Sequence, residues 1–253
     1  MTPLVLVHGF MGGSAQWQAQ IAVFSEAYDV VAVDLPGFGA NNHLPVLHSI
    51  SAFAEWVIAE LRRKGVERYH LLGHSMGGMI VQEMARRDHD HIERLVLYGT
   101  GAVGVLPGRF ETIEQSKARA SADGAKATAR RISATWFLDQ ENAPAFEACA
   151  AIAEKAAPEA IQAGLDAMQG WRGDDLLQDI KPETLVIWGE GDRTYPWQQT
   201  QLLWNAIPRA RLAVVPNCAH AVHLEMADVF NLLVANFLSR EMPSPVSLGA
   251  PAM

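Results

Sequence analysis

Gly73-His74-Ser75-Met76-Gly77-Gly78 follows an apolar run that ends at Leu72 and opens a stretch, Met76 to Arg87, in which Met79, Ile80 and Met84 recur at helical spacing. A chain that passes from strand to helix around one serine drives that serine toward strained backbone angles. Small residues at Gly73 and Gly77 let such a turn close without side-chain clashes. The hydroxyl of Ser75 is then pushed clear of the sheet, the arrangement of a nucleophile elbow, and Arg86-Arg87 supplies the helix stop.

Outward from this turn, short β-branched or leucine-rich runs alternate with longer helix-period stretches. Strands are expected at Leu4-Val7, Val30-Val33, Tyr69-Leu72, Leu95-Tyr98, Thr184-Trp188 and Leu212-Val215. Helices are expected at Ser14-Phe24, Ile50-Lys64, Met76-Arg87, Gln198-Ala206 and Ala227-Leu238. This alternation predicts an α/β fold with a doubly wound, mostly parallel sheet, whose ligands bind beyond the carboxyl ends of the strands.

Between Thr100 and Lys181 the alternation stops and an alanine-rich, strand-poor segment takes over, with helices expected near Glu111-Ser121, Lys126-Thr135, Pro144-Ala157 and Pro158-Gln169. Residues 102–180 therefore read as an inserted helical cap, and residues 1–101 and 181–240 as the α/β core. Pro144 and Pro158 suit first helical positions, while Gly124, Gly164 and Gly170 suit breaks or close contacts. Residues 241–253, rich in Pro, Ser and Ala without a period, read as a mobile tail.

The 253 residues suit one such domain with its insertion. A formal charge of -8 without charged blocks argues against nucleic acid and anionic membranes as partners. No apolar run approaches spanning length, and a strand beginning almost at Thr2 leaves no room for a secretory leader, so a cytoplasmic location is expected. Cys149 and Cys218 lack redox or metal spacing and read as reduced, packed thiols. Oligomeric state has no signature here.

A serine hydroxyl is a weak nucleophile at neutral pH and needs a base, which needs a group to orient it. Carboxylates follow the penultimate expected strand in Gly189-Glu190-Gly191-Asp192, and a histidine follows the last in Cys218-Ala219-His220. The order Ser75, Asp192, His220 is the one expected when an elbow precedes its partners. Glu190 competes with Asp192, and His223, better suited to a helix start, competes with His220. Asp34 reads as a loop brace, and no carboxylate follows Tyr98 in Gly99-Thr100-Gly101. His74 should point away from the nucleophile, His89 and His91 sit on a polar loop, and His43 and His48 lack partner signals. Two backbone N–H groups could meet a developing oxyanion, those of Met76 at the helix start and Phe10 in the loop after the first strand.

With these motifs together, the chain resembles the α/β-hydrolase superfamily over nearly its whole length outside the cap and tail. His8-Gly9-Phe10 is similar to that family's oxyanion loop, Asp34-Leu35-Pro36-Gly37-Phe38-Gly39 to its Asp-x-x-Gly-x-Gly loop, and Gly73 to Gly78 to its elbow. Gly189 to Asp192 resembles its acid loop, and His220 with Glu225 its His-x-x-x-x-Glu segment. The resemblance implies a triad of Ser75, Asp192 and His220 and an oxyanion hole at Phe10 and Met76. Two departures stand out: the family's usual opening β-hairpin does not precede the first strand, and Ala219 replaces a common glycine. Within the superfamily the chain looks most like small capped esterases and lactonases of the 3-oxoadipate enol-lactonase kind.

The expected activity is hydrolysis of a small carboxylic ester or lactone through an acyl-enzyme, with no metal or organic cofactor. An alternative is carbon–carbon hydrolysis of a vinylogous ketoacid, for which cap arginines Arg109, Arg119, Arg130 and Arg131 could hold a carboxylate. A second alternative is a ligand receptor on the same fold with little turnover. Trp17, Trp136, Phe137, Met168 and Val222 are the candidate lining of an apolar substrate pocket, with Phe38, Leu138 and Trp171 nearby, although such residues also serve as ordinary core.

Overall fold

Strand β1 (Leu4–Val7) is buried at every position because both faces of its sheet are covered. Leu4 and Leu6 face one apolar cluster, and Val5 and Val7 face another. The same alternation runs through β3 (Tyr69–His74) and β4 (Ile92–Tyr98), where Leu71, Leu95 and Leu97 go to one side and Leu72, Val96 and Tyr98 to the other. The computed structural model describes residues 1–106 and 111–239. Arg109, residue 240 and the expected tail at 241–253 lie outside the described residues.

With β2 (Val30–Val33), β5 (Glu183–Gly189) and β6 (Ala210–Val215), these strands form a six-stranded sheet in the order β2-β1-β3-β4-β5-β6, every neighbouring pair parallel. The register sets Val7 beside Gly73, His74 beside Tyr98 and Gly189 beside Val215, so the carboxyl ends gather along one rim. From β1 the chain winds outward to β2, then returns to β3 on the other side. The crevice between β1 and β3 is the topological switch point, where doubly wound sheets bind ligands.

Helices α2 (Ile50–Arg63) and α3 (Met76–Arg87) pack together on one face. Helices α1 (Gln18–Phe24) and α9 (Ala227–Ser239) cover the other. Ser49 caps α2 by accepting the N–H of Ala52 at 3.1 Å. The expected helix at 14–24 opens instead as a 3-10 turn over Ser14–Trp17. Asp34 braces that turn, its carboxylate accepting the Ser14 N–H at 2.8 Å and hydroxyl at 2.7 Å.

Between β4 and β5 the chain forms α4 (Ile113–Ala134), α5 (Phe146–Ala153) and α6 (Pro158–Gln169), with one isolated bridge between Val103 and Arg172. Gly124, at φ 79 and ψ 170, interrupts α4. Thr112 and Gln115 close a capping box at its start. Pro158 opens α6 as expected, but α5 is shorter than the expected 144–157 and begins two residues after Pro144. Its far end stops at Ala153, where the Lys155 and Ala156 N–H groups turn to the carbonyls three residues back, and the Ala157 N–H then donates to the Gly37 carbonyl at 3.0 Å. Helix α7 (Trp197–Ala206) then links β5 to β6, and a one-turn α8 (Val222–Glu225) precedes α9.

Candidate active site

Ser75 occupies the turn between β3 and α3 at φ 57 and ψ −120, an unfavourable conformation for a residue with a side chain. Its surroundings hold it there. The Ser75 N–H donates to the Tyr98 carbonyl at 3.0 Å, and the Thr100 hydroxyl donates to the Ser75 carbonyl at 2.8 Å. Gly77 lets α3 start hard against β1: a Cβ there would lie 2.4 Å from the Val7 carbonyl oxygen. Met76 is the first residue of α3, so its N–H has no partner within the helix.

The loop after β1 passes beside this serine. Its conformation is pinned by His8, whose Nε2 accepts the Leu35 N–H at 3.0 Å and whose Nδ1 donates to the Gly9 carbonyl at 2.7 Å. Full burial holds the His8 imidazole below its ordinary pKa and therefore in this neutral, one-donor form. Phe10 lies in the same loop, almost completely buried, and its ring faces the same cavity as Ser75.

His220 follows β6 and Asp192 follows β5. The His220 Nδ1 lies 2.9 Å from Asp192 Oδ2, and both side chains are shut away from solvent. The other carboxylate oxygen of Asp192 accepts the N–H groups of Thr194 at 2.7 Å and Tyr195 at 3.1 Å, which fixes the acid's orientation. An aspartate so placed selects the Nδ1–H tautomer and leaves Nε2 as a base. Gly99, at φ 51 beyond β4, makes room for the ring, since a Cβ there would lie 3.1 Å from His220 Nδ1. The Tyr195 ring stacks on the other side at 5.7 Å between centroids.

The two competitors sit elsewhere. Glu190 is exposed. His223 is buried with its Nδ1 3.1 Å from the Tyr98 hydroxyl and its ring against Trp17; burial pushes its pKa down to about 3. His74 turns from the nucleophile, as expected, stacking on Tyr98 and donating Nε2–H to the His220 carbonyl at 3.2 Å. Its pKa is also driven well down by burial. The Tyr98 hydroxyl donates to the same carbonyl at 2.6 Å.

Ser75 and His220 open onto one cavity of about 40 Å³. Its walls include Phe10, Ile132, Thr135, Trp136, Met168 and Tyr195, mostly apolar surface from the segment between β4 and β5. Of the expected lining residues, Trp136 and Met168 are there. Phe137 is fully buried and contributes no wall. Trp17 and Val222 belong to the apolar cluster on the opposite face of the sheet, because the 3-10 turn and α8 carry both side chains past the rim and down toward α9. Trp171 donates Nε1–H to Glu83 at 3.2 Å. The described arginines expected to hold a carboxylate are engaged with carboxylates of their own, Arg130 with Glu147, Arg131 with Glu111 and Arg119 with Asp123, and line an outer cleft that shares Thr135 with this cavity. Among the described residues no cluster of three His, Cys, Asp or Glu is arranged to hold a metal, and no helix is long and apolar enough to cross a membrane.

A serine on a strained strand-to-helix turn at the switch point, an acid and a histidine from two later strand ends, and helices roofing the cavity define a protein of the hydrolase class built on a doubly wound sheet. The sequence pattern of the alpha/beta hydrolase fold matches residues 2–227, and the chain belongs to this family. It is similar to 2-hydroxy-6-oxo-6-phenylhexa-2,4-dienoate hydrolase of Comamonas testosteroni, 28% identical over 249 residues that cover 93% of this chain and 87% of that protein. Among solved structures it is similar to the enol-lactonase from Burkholderia xenovorans, with a TM-score of 0.85 and 25% identity over 95% of this chain and 92% of that one. A thermophilic esterase from Thermogutta terrifontis matches with the same score and identity, over 94% and 89%.

Proposed function

We propose that the protein is a serine hydrolase of small carboxylic esters or lactones, with Ser75 as nucleophile, His220 as general base and acid, and Asp192 as its orienting partner. The observation that carries the reading is the buried 2.9 Å contact between His220 and Asp192 beside a strained serine that opens onto the same cavity. His220 Nε2 takes the Ser75 proton as Oγ attacks the carbonyl carbon, and the oxyanion forms toward the N–H groups of Phe10 and Met76. The proton passes to the leaving oxygen, and water, activated by His220, cleaves the acyl-enzyme. A cavity of about 40 Å³ with apolar walls suits an acyl group of a few carbons.

Carbon–carbon hydrolysis of a vinylogous ketoacid is the second reading, supported by the Comamonas testosteroni relative. The engagement of the described cap arginines with carboxylates weighs toward a neutral acyl group instead. A cytoplasmic location is part of the same proposal; Cys149 and Cys218 are buried thiols in apolar clusters on opposite faces of the sheet, and burial raises their pKa values to about 11 and about 12.

The test is brief exposure to a fluorophosphonate followed by mass spectrometry, beside turnover of p-nitrophenyl esters of graded length, a lactone, a carbamate and a dienone ketoacid. Labelled Ser75 and ester or lactone turnover abolished by Ser75→Ala support the leading reading. Turnover of the ketoacid alone favours the second, and saturable binding without turnover would return the protein to the receptor class.

A further inference from the structure

Glu225 ends the one-turn helix after His220, and its carboxylate bridges two distant stretches of backbone. Oε2 accepts the Ala219 N–H at 2.7 Å, and Oε1 accepts the Leu138 N–H at 2.8 Å. Residues 136–138 follow α4 and are tied down twice more. The Ala221 N–H donates to the Trp136 carbonyl at 2.9 Å, and the Arg193 guanidinium donates to the Phe137 carbonyl at 2.5 Å.

The ties fall on consecutive backbone groups around one side chain. Ala219 N–H is held by Glu225, His220 C=O by Tyr98 and His74, and Ala221 N–H by Trp136. Arg193 is the neighbour of Asp192, so the acid loop is held to the same three residues as the histidine loop. Trp136 is itself a wall of the cavity that Ser75 and His220 share. The wall that would touch the acyl group and the backbone that aims the imidazole are therefore joined by one neutral hydrogen bond at Trp136 and, through its neighbours Phe137 and Leu138, by the charged ones of Arg193 and Glu225, about twice as strong as neutral ones.

We infer that Glu225 and Arg193 are positioning residues that clamp the 136–138 segment onto the histidine and acid loops, so that acyl-group selection and base alignment are set by one coupled unit. The inference rests on the hydrolase reading above for its kinetic consequences, while the clamp itself can be read without turnover. A shift of the acyl wall moves the imidazole; a loosened His220 backbone widens the range of acyl groups accepted.

The experiment compares wild type, Glu225→Gln and Arg193→Met. In Glu225→Gln the side chain keeps its size, but an amide NH₂ confronts one of the two N–H groups; Arg193→Met removes the other tie from an exposed position. Folding is checked by circular dichroism. The readouts are kcat and KM for p-nitrophenyl acetate, butyrate and hexanoate, and hydrogen exchange at the Ala221 amide, whose bond to Trp136 neither substitution touches. The expected result for Glu225→Gln is a fall in kcat of tenfold or more with little change in KM, an acetate-to-hexanoate preference altered at least threefold, and Ala221 exchange accelerated tenfold. Arg193→Met should shift preference and exchange in the same direction. A folded Glu225→Gln with kcat, preference and Ala221 exchange all within twofold of wild type overturns the clamp, as does lowered melting temperature with unchanged preference and exchange. If Glu225→Gln does not fold, Arg193→Met decides by its preference and exchange alone. Failure of the hydrolase reading is distinguishable, because wild type would then leave Ser75 unlabelled and every ester intact while Ala221 exchange still reports the clamp.

Discussion

Acidification should destabilise this protein at a mild pH, and the histidines set the amount. His223 is fully buried with a folded pKa of about 3, caused first by desolvation and then by the nearby His220. In the unfolded chain the same imidazole titrates near its ordinary value, about 6.5. The unfolded state thus binds the proton first, and the His223 contribution is complete above about pH 6.5 and lost as pH falls toward 3. At about 1.4 kcal/mol per pH unit, His223 alone removes about 2 kcal/mol by pH 5. His70, lowered to about 4 by burial and by Arg94, acts in the same direction; counted at half for its partial contact with solvent it removes about 1 kcal/mol more. His8 and His74, both displaced downward, steepen the fall. A loss of about 3 kcal/mol or more is a large part of the stability of an ordinary domain. Urea unfolding at pH steps from 7.5 to 5 should show this decline, and His223→Gln should reduce the slope by about 1.4 kcal/mol per pH unit, the contribution of one proton. Stability that stays flat or rises on acidification, or a slope untouched by His223→Gln, would refute the reasoning.

Three other outcomes are expected. Asp192→Asn should keep the fold but present the wrong imidazole tautomer to Ser75, lowering kcat by about 10⁴, measured on a p-nitrophenyl ester. Trp136→Ala should open the cavity beside Ser75 and His220 and shift kcat/KM toward longer acyl chains by about tenfold relative to acetate, at a stability cost of about 3 kcal/mol or more from the lost aromatic burial. Gly77→Ala sets a methyl 2.4 Å from the Val7 carbonyl oxygen, a backbone atom that cannot swing aside, so a loss of at least about 3 kcal/mol in thermal or urea unfolding is expected, together with reduced Ser75 labelling.

Most of the scaffold was legible because the inner strands β1, β3, β4 and β5 are covered on both faces, and the edge strands β2 and β6, though only partly buried, also read as apolar runs. The bounds expected for Leu4–Val7, Val30–Val33, Met76–Arg87 and Pro158–Gln169 are those observed. Strand ends were harder to see where they carry polar residues. Strand β4 begins at Ile92 and passes through Arg94, whose guanidinium is buried over the Phe237 ring, and β5 begins at a buried Glu183. Neither residue looks like sheet interior until its tertiary neighbours are known.

The strand-end residues singled out around the switch point could be placed because loops at strand carboxyl ends converge by topology alone. Pocket walls could not. Trp17 and Val222 follow strand ends on the same rim, yet their side chains descend the opposite face, a direction set by a 3-10 turn and a single helical turn that carry no strong local signal. Glu225 was visible as part of a spaced motif, but its second partner, the Leu138 N–H, is 87 residues away in sequence and belongs to a turn whose path only the fold decides.

The interruption at Gly124 has a wider consequence. A side chain there would meet nothing within 4 Å, so the glycine serves backbone direction and not contact. It divides one long helix into an outer arm against α6 and an inner arm that ends in Ile132, Thr135 and Trp136 at the cavity. Axial changes in the outer arm, from an insertion, a deletion or a new surface, need not propagate into the inner one. Variation over 113–123 therefore reaches the chamber not along the helix axis but sideways, through α6 and its wall residue Met168.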